Sequence, residues 1–179
     1  FNNRKGPNTF IASTYGFDEA DYKPSLHRFF DMANIKYIAT EESLTNNKDL
    51  SLVFEEESIK IYENKSVLPK AYLVNKMSLA SNFSEAIKIL NEPDYDYKNS
   101  VIINGDHPLI AGLKLNDKTV GESKIVLYDP KQLTIDTNAS DKMFLVVLNA
   151  FYPGWKAHVD GKETEIFPAN IMFQTILVP

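Results

Sequence analysis

The sequence predicts an α+β, mainly β protein: an antiparallel, jelly-roll-like β-sandwich preceded by a small helix-plus-sheet lobe. Three observations carry that expectation. From Ser123 onward, short apolar or alternating runs recur at even spacing, the pattern of strands with one or both faces covered. Tight turns separate them, at Asp129-Pro130, Asn138 to Asp141, Tyr152-Pro153-Gly154 and Asp160-Gly161, and many short strands joined in this way build sandwiches or barrels. Helical periodicity shows in only two stretches, both in the first half, so helices are additions to a sheet protein. The expected division is a helix-and-sheet lobe over residues 1–66 and a sandwich with one inserted helix over residues 67–179.

Taken in order, residues 1–24 are polar and aromatic, with Gly6-Pro7, Gly16 and an acidic Asp18 to Asp21, and read as an irregular lead-in with one strand at Thr9 to Ser13. Pro24 suits a first helical turn, and Leu26, Phe29, Phe30 and Ala33 follow at three- and four-residue spacing, giving a helix to about Asn34; His27 falls off that stripe. Ile35 to Thr40, Leu50 to Phe54 and Ser58 to Glu63 are strand-like, the last two flanking a hairpin at Glu55-Glu56-Glu57. Asn64 to Pro69 is a connector, and Lys70 to Ala80 alternates well enough to be one long strand with a slip near Asn75. Asn82 with Glu85 three residues on has the form of a capping box, and Phe83, Ala86, Ile87 and Leu90 make one helical face that ends before Pro93. Val101 to Ile103 is a short strand, and residues 107–120 are turn-rich.

The remaining strands are Ile125 to Tyr128, Leu133 to Ile135, Phe144 to Leu148, Trp155 to Val159, Glu163 to Phe167 and Ile171 to Val178. Asp160-Gly161 is a two-residue hairpin signal, because both central positions of a type I′ turn need positive φ and Asp and Gly tolerate it.

Composition excludes several classes. With no Cys there is neither a disulfide framework nor a thiolate nucleophile. The net charge of −5 comes without a basic block, which argues against a nucleic-acid partner. No apolar run approaches the roughly 20 residues of a membrane span. The chain begins at Phe1, with neither Met nor a signal-peptide pattern, and reads as an excerpt of something longer.

Candidate chemistry is sparse. Phe151, Tyr152 and Trp155 stand around Pro153-Gly154, and a flat aromatic face suits sugar C–H groups while Asn149, Lys156 and Asp160 could bind hydroxyls. The candidate carbohydrate-binding residues are therefore Tyr152, Trp155, Lys156 and Asp160, against the plainer reading that these aromatics plug the sandwich core. Exposure or burial of Trp155 separates the two. Asp94-Tyr95-Asp96 has the spacing of a nucleotide-sugar metal site but sits in a polar loop, where a solvated turn is the stronger reading. His27, His107 and His158 are far apart and match no metal motif. Ser, His and Asp occur without a Gly-x-Ser-x-Gly elbow, and paired carboxylates for glycoside cleavage would have to be assembled by the fold. No catalytic residue, metal or cofactor is assigned.

The run Tyr128-Asp129-Pro130-Lys131-Gln132-Leu133-Thr134-Ile135, the turn at Asn138 to Asp141, and Phe151 to Lys162 with its Tyr-Pro-Gly-Trp and Val-Asp-Gly-Lys segments resemble the YfhO-like bacterial membrane proteins. Asn34-Ile35-Lys36-Tyr37-Ile38, Ile61-Tyr62-Glu63-Asn64 and Leu68 to Val74 resemble earlier segments of the same family, in the same order. The resemblance implies a non-catalytic, soluble extracytoplasmic domain of a polytopic, glycosyltransferase-like membrane protein. Its partners would be the transmembrane part of the same polypeptide and a glycan or lipid-linked sugar; its role would be to assist transfer to a cell-envelope polymer or lipid. The family's acidic catalytic loop has no counterpart here. The family also continues past the Val-Pro pair with a turn and a strand, whereas this sequence ends at Val178-Pro179. The alternatives are a free-standing carbohydrate-binding β-sandwich module and a structural interaction domain.

Overall fold

The computed structural model describes residues 11–13, 24–44 and 46–179. Most of the lead-in, with Asp18 to Asp21, lies outside them. Strands hold 45% of the chain and helices 10%, so the class is α+β and mainly β. The chain divides into two units, Phe1–Leu68 and Pro69–Pro179.

In the first unit, helix α1 (Pro24–Met32) opens on a proline, whose missing N–H would be unpaired at that position anyway. It ends at Asn34, whose φ of 58° lets the Ile35 N–H reach back to the Phe30 carbonyl at 2.9 Å, and Asn tolerates this left-handed turn better than most residues. Strands β1 (Ile11–Ser13), β2 (Tyr37–Thr40), β3 (Leu50–Glu56) and β4 (Ile59–Asn64) form a sheet in the order β1-β2-β4-β3, parallel only between β1 and β2. Phe30 of the helix packs with Ile35, Ile38, Leu44 and Tyr62, and the buried Tyr62 hydroxyl accepts the Leu44 N–H at 3.0 Å. The acidic run is not all turn: Glu55 and Glu56 belong to β3, and Glu57, with φ 53°, makes the reversal.

In the second unit the strands are β5 (Ala71–Val74), β6 (Lys76–Ala80), β7 (Ser100–Asn104), β8 (Gly121–Asp129), β9 (Gln132–Ala139), β10 (Met143–Val147), β11 (Ala157–Val159), β12 (Lys162–Thr164), β13 (Phe167–Ala169) and β14 (Phe173–Val178). Helix α2 (Phe83–Asn91) lies between β6 and β7. Six strands form one sheet in the order β5-β10-β14-β13-β7-β6, antiparallel except for β6 and β7. Parallel neighbours need a crossover, and α2 supplies it, burying Ala86 and Leu90. Half of the expected capping box forms: the Glu85 N–H donates to the N-cap Asn82 Oδ1 at 3.0 Å, but Glu85 Oε2 reaches one residue past the cap, accepting from the Ser81 N–H and hydroxyl.

Lys70 to Ala80 is two strands rather than one long one, and they lie at opposite edges of the sheet with Asn75 alone between them. Flat, a sheet of this width would hold its edges roughly 24 Å apart at roughly 4.8 Å per strand. Val74 and Lys76 are two peptide steps apart, at most about 7.6 Å, so the sheet must curl until its edges meet. Asn75 pins that corner, donating through Nδ2 to the carbonyls of Asp117 and Thr119 at 2.9 Å each.

Register assigns the two faces. Tyr72, Val74, Phe144, Val146, Thr175 and Phe167 share one face, where the Phe144 and Phe167 rings meet edge-on at 6.3 Å. Ala71, Leu73, Met143, Leu145, Val147, Ile176 and Val178 share the other. Every residue of β10 is buried because both of its faces are covered. Against the second face packs the β8–β9 hairpin through Ile125, Leu133 and Ile135, with Val159 of the β11–β12 hairpin beside it. Gly121 starts β8 where a Cβ would meet Leu73 Cδ1 at 2.7 Å and Met143 Sδ at 2.8 Å, so only glycine fits there without a shift.

Candidate functional site

Between the two hairpins and the sheet lies a cavity of about 600 Å³. Its floor is apolar, made by Leu145 and Val147 of β10 and Ile176 and Val178 of β14. One wall is β9 from its hairpin tip at Lys131 through Ile135; the other runs from Gly154 to Asp160 through Trp155 and β11. Local chemistry sets the second wall. Gly154 adopts φ 110° and turns the chain after Pro153, and Asp160 and Gly161 at φ 49° and 79° close the β11–β12 hairpin as an I′-type turn. Gln174, beside the floor, donates through Nε2 to the Ala150 carbonyl at 2.9 Å and so holds the entry to that wall.

Of the four residues proposed to bind carbohydrate, Trp155, Lys156 and Asp160 line this cavity and Tyr152 does not; Tyr152 is 73% exposed elsewhere on the loop. Trp155 is half-buried, a wall rather than a free platform or a core plug. Lys156 Nζ lies 3.5 Å from Glu163 Oε1 on the neighbouring strand. Residues that the sequence did not single out are Leu145, Val147, Ile176 and Val178, whose apolar character looked like ordinary core, and Gln132 and Thr134 of β9, which looked like solvated strand positions.

The other candidate groups resolve into structural roles. His107 places Nε2 2.9 Å from the Asn104 carbonyl and Nδ1 3.3 Å from Glu165 Oε1, with its ring edge-on to Phe167 at 5.0 Å. His158 stands on the cavity wall, paired in register with Glu163. His27 lies in the first unit and is only 8% exposed, so leaving the apolar stripe carried it into a buried polar cluster instead of into solvent. There Nε2 lies 3.0 Å from Ser66 Oγ, 3.7 Å from Asp31 Oδ2 and 3.9 Å from Asp49 Oδ2. The set resembles a hydrolase triad in composition alone, because a triad holds nucleophile and orienting carboxylate on opposite ring nitrogens. Here one nitrogen faces all three. Asp31, fully buried, accepts at Oδ1 from Asn64 Nδ2 (2.7 Å) and from the Ser66 hydroxyl (2.8 Å), and Asn64 Nδ2 also reaches the Ile35 carbonyl (3.1 Å). The cluster ties the end of β4 to the helix.

Asp96 of the Asp-Tyr-Asp loop is committed to Lys76 Nζ at 2.9 Å and to Asn99 Nδ2. Burial, the largest single influence, pushes its carboxyl up, but hydrogen bonds from Lys76 and Asn99 and the Lys76 charge together hold it below the usual 3.8. A folded value below the unfolded one gives a contribution present above the unfolded value and lost as pH falls through the folded one. With 47% and 39% of the two side chains exposed, solvent screening keeps that contribution small. The Asp96 titration midpoint measured by carboxyl NMR is expected below 3.8 and should rise in Lys76→Met. A midpoint that does not move in the variant would show that the lysine is not its cause.

Among the described residues no group of three or more His, Asp or Glu is gathered as metal ligands would be, and no helix is long and apolar enough to cross a membrane. No family model, curated protein or solved structure matches this chain. The cavity is apolar below and carries Lys131, Lys156 and Asp160 on its walls, with Lys156 beside Glu163.

Proposed function

We propose that this chain is a non-catalytic extracytoplasmic domain of a YfhO-like membrane protein. It assists glycosyl transfer to a cell-envelope polymer or lipid by positioning donor or acceptor rather than by reacting with either. The observation that carries the reading is the coincidence of motif and cavity: Gly154 to Asp160, within the segment that resembles the family most, forms one whole cavity wall. A free-standing carbohydrate-binding module is less well supported, because Trp155 is the one large aromatic side chain in the cavity lining and Tyr152 stands apart from it.

The test is topological. The chain has no Cys, so Lys162→Cys, at the exposed β11–β12 turn, places one thiol in it. In intact cells making the full-length protein, a membrane-impermeant maleimide is expected to label that thiol over the background of the unsubstituted protein. Labelling only after the membrane is permeabilised would overturn the extracytoplasmic placement. The reading frame around the chain is likewise expected to encode apolar segments of about 20 residues.

A further inference from the structure

Asn104 is the one asparagine in the sequence that is followed by glycine. An asparagine side-chain amide is open to attack by the backbone nitrogen of the next residue, and glycine, with no side chain, shields that nitrogen least and lets the chain bend into position most freely. In an open chain this pair is therefore the one most prone to deamidation. The fold places it at the end of β7, where Asn104 pairs in register with Ala80 of β6.

There, both hydrogen-bonding groups of the peptide unit joining the two residues are held. The Gly105 N–H donates to the Ala80 carbonyl at 2.8 Å, and the Asn104 carbonyl accepts from His107 Nε2 at 2.9 Å. A carbonyl can only accept, so that ring nitrogen carries a proton. Gly105 turns the chain at φ 97°, with His107 Nε2 3.4 Å from where a Cβ would stand, so the loop closes tightly over this unit. Asn104 Oδ1 is buried, and no N–H or O–H of the described residues reaches it. The attacking nitrogen is thus engaged, the peptide plane is fixed at both ends, and no protein donor faces the oxygen on which charge would develop.

We propose that Asn104-Gly105 is a deamidation site gated by the fold, which records how long the pairing of β6 with β7 has been open. β6 is the last strand in the sheet order, and among the described residues its sheet partner is β7 alone. Loss of that pairing, together with the His107 contact, frees the Gly105 nitrogen without unfolding the remaining strands.

The chemistry needs only water and hydroxide. The freed nitrogen gives its proton to hydroxide and attacks Asn104 Cγ; the new C–N bond closes a five-membered imide, the Cγ–Nδ2 bond breaks, and ammonia leaves with a proton from water. Water then opens the imide at either carbonyl, giving Asp or isoaspartate. In the Asp product a carboxylate replaces an amide whose oxygen is buried without a protein donor, and such a charge costs more to bury than the amide did. In isoaspartate the chain runs through the side-chain carbonyl, and the added backbone carbon displaces the Gly105 N–H from Ala80. Neither product restores the closed pairing, so the step runs one way. The inference does not depend on a membrane parent and survives failure of the maleimide labelling.

The test incubates the whole 179-residue chain, native and in guanidinium, at mildly alkaline pH. Peptide mass spectrometry follows each asparagine, and an isoaspartyl methyltransferase marks the isoaspartate product. In denaturant Asn104 is expected to convert before every other asparagine. In the native chain it should convert about a hundredfold more slowly or less, by a factor that matches the hydrogen-exchange protection of the Gly105 amide, because both reactions pass through the same opening. His107→Ala releases the Asn104 carbonyl and should raise native conversion and Gly105 exchange together by about tenfold, with the denatured rate unchanged. Asn104→Asp, made directly, should exchange faster than wild type along β6 and β7.

Native conversion at the denatured rate would overturn the gate, and a denatured chain that deamidates first at another asparagine would remove the site. Native conversion that outruns Gly105 exchange would show attack without opening, which contradicts the role given to the Ala80 bond. Unchanged β6 and β7 exchange in Asn104→Asp would overturn the one-way step. The wild-type comparison decides the gate by itself if either variant fails to fold.

Discussion

Asp31→Ala is expected to remove a large share of the stability of the first unit. Asp31 is fully buried and its Oδ1 accepts from both Asn64 and Ser66, while the Leu68 N–H donates to its backbone carbonyl at 2.9 Å. Truncation leaves the buried Asn64 amide short of one acceptor, about 1–3 kcal/mol, and takes one acceptor from the half-buried Ser66 hydroxyl, which keeps Asn64 Oδ1 at 2.9 Å. A domain is stable by only about 5–15 kcal/mol, so the loss is a large share. Asp31→Asn keeps one oxygen in place and should fall between wild type and Ala. Hydrogen exchange at the β2 and β4 amides in increasing urea reads this unit directly, which Trp155 in the other unit does not. A loss under about 1 kcal/mol would show that the cluster is incidental.

Asn170→Ala should cost the second unit about 3 kcal/mol, through two separable effects. Asn170 is fully buried with φ 46°. Its Oδ1 accepts the Ile102 N–H at 2.9 Å, its own N–H donates to the Ile102 carbonyl at 2.8 Å, and its Nδ2 reaches the Tyr72 hydroxyl at 3.3 Å. One residue thus serves as the last rung between β13 and β7. Alanine orphans the Ile102 N–H, about 1–3 kcal/mol, and must hold a left-handed conformation at a further 1–2 kcal/mol or so. Asn170→Gly removes the second penalty and keeps the first, so it should be less destabilised than Ala by about 1 kcal/mol. Urea unfolding followed by Trp155 fluorescence measures both variants. Equal stability of Gly and Ala would mean that backbone strain contributes nothing. Tyr72 shares the site: burial, slightly offset by the Asn170 bond, holds its hydroxyl protonated far above the ordinary 10.0.

Much of the fold was legible in the sequence where the cause is local. Asp160-Gly161 closes a hairpin because its two residues tolerate positive φ. Asn82 and Glu85 begin a helix because their side chains reach unpaired N–H groups within one turn. Of the site, the wall from Trp155 to Asp160 could be named in advance, since turns and the single Trp mark it. The opposite wall and the floor could not, because Leu133 or Ile176 reads the same whether it faces a packed core or a cavity.

By itself the sequence determined the class, the turns, both helices and most strands, all of which depend on residues within a few positions of one another. Tertiary structure decided partners. It sent β5 and β6 to opposite edges across Asn75, buried His27 beside Asp31, and joined Asn170 to Ile102. It also made the last turn from Asn170 and Ile171, the latter at φ 80°, which a β-branched residue adopts only when its surroundings impose it. Such choices are set by hydrogen bonds and packing between segments distant in the chain, and no pattern within a short window of sequence contains them.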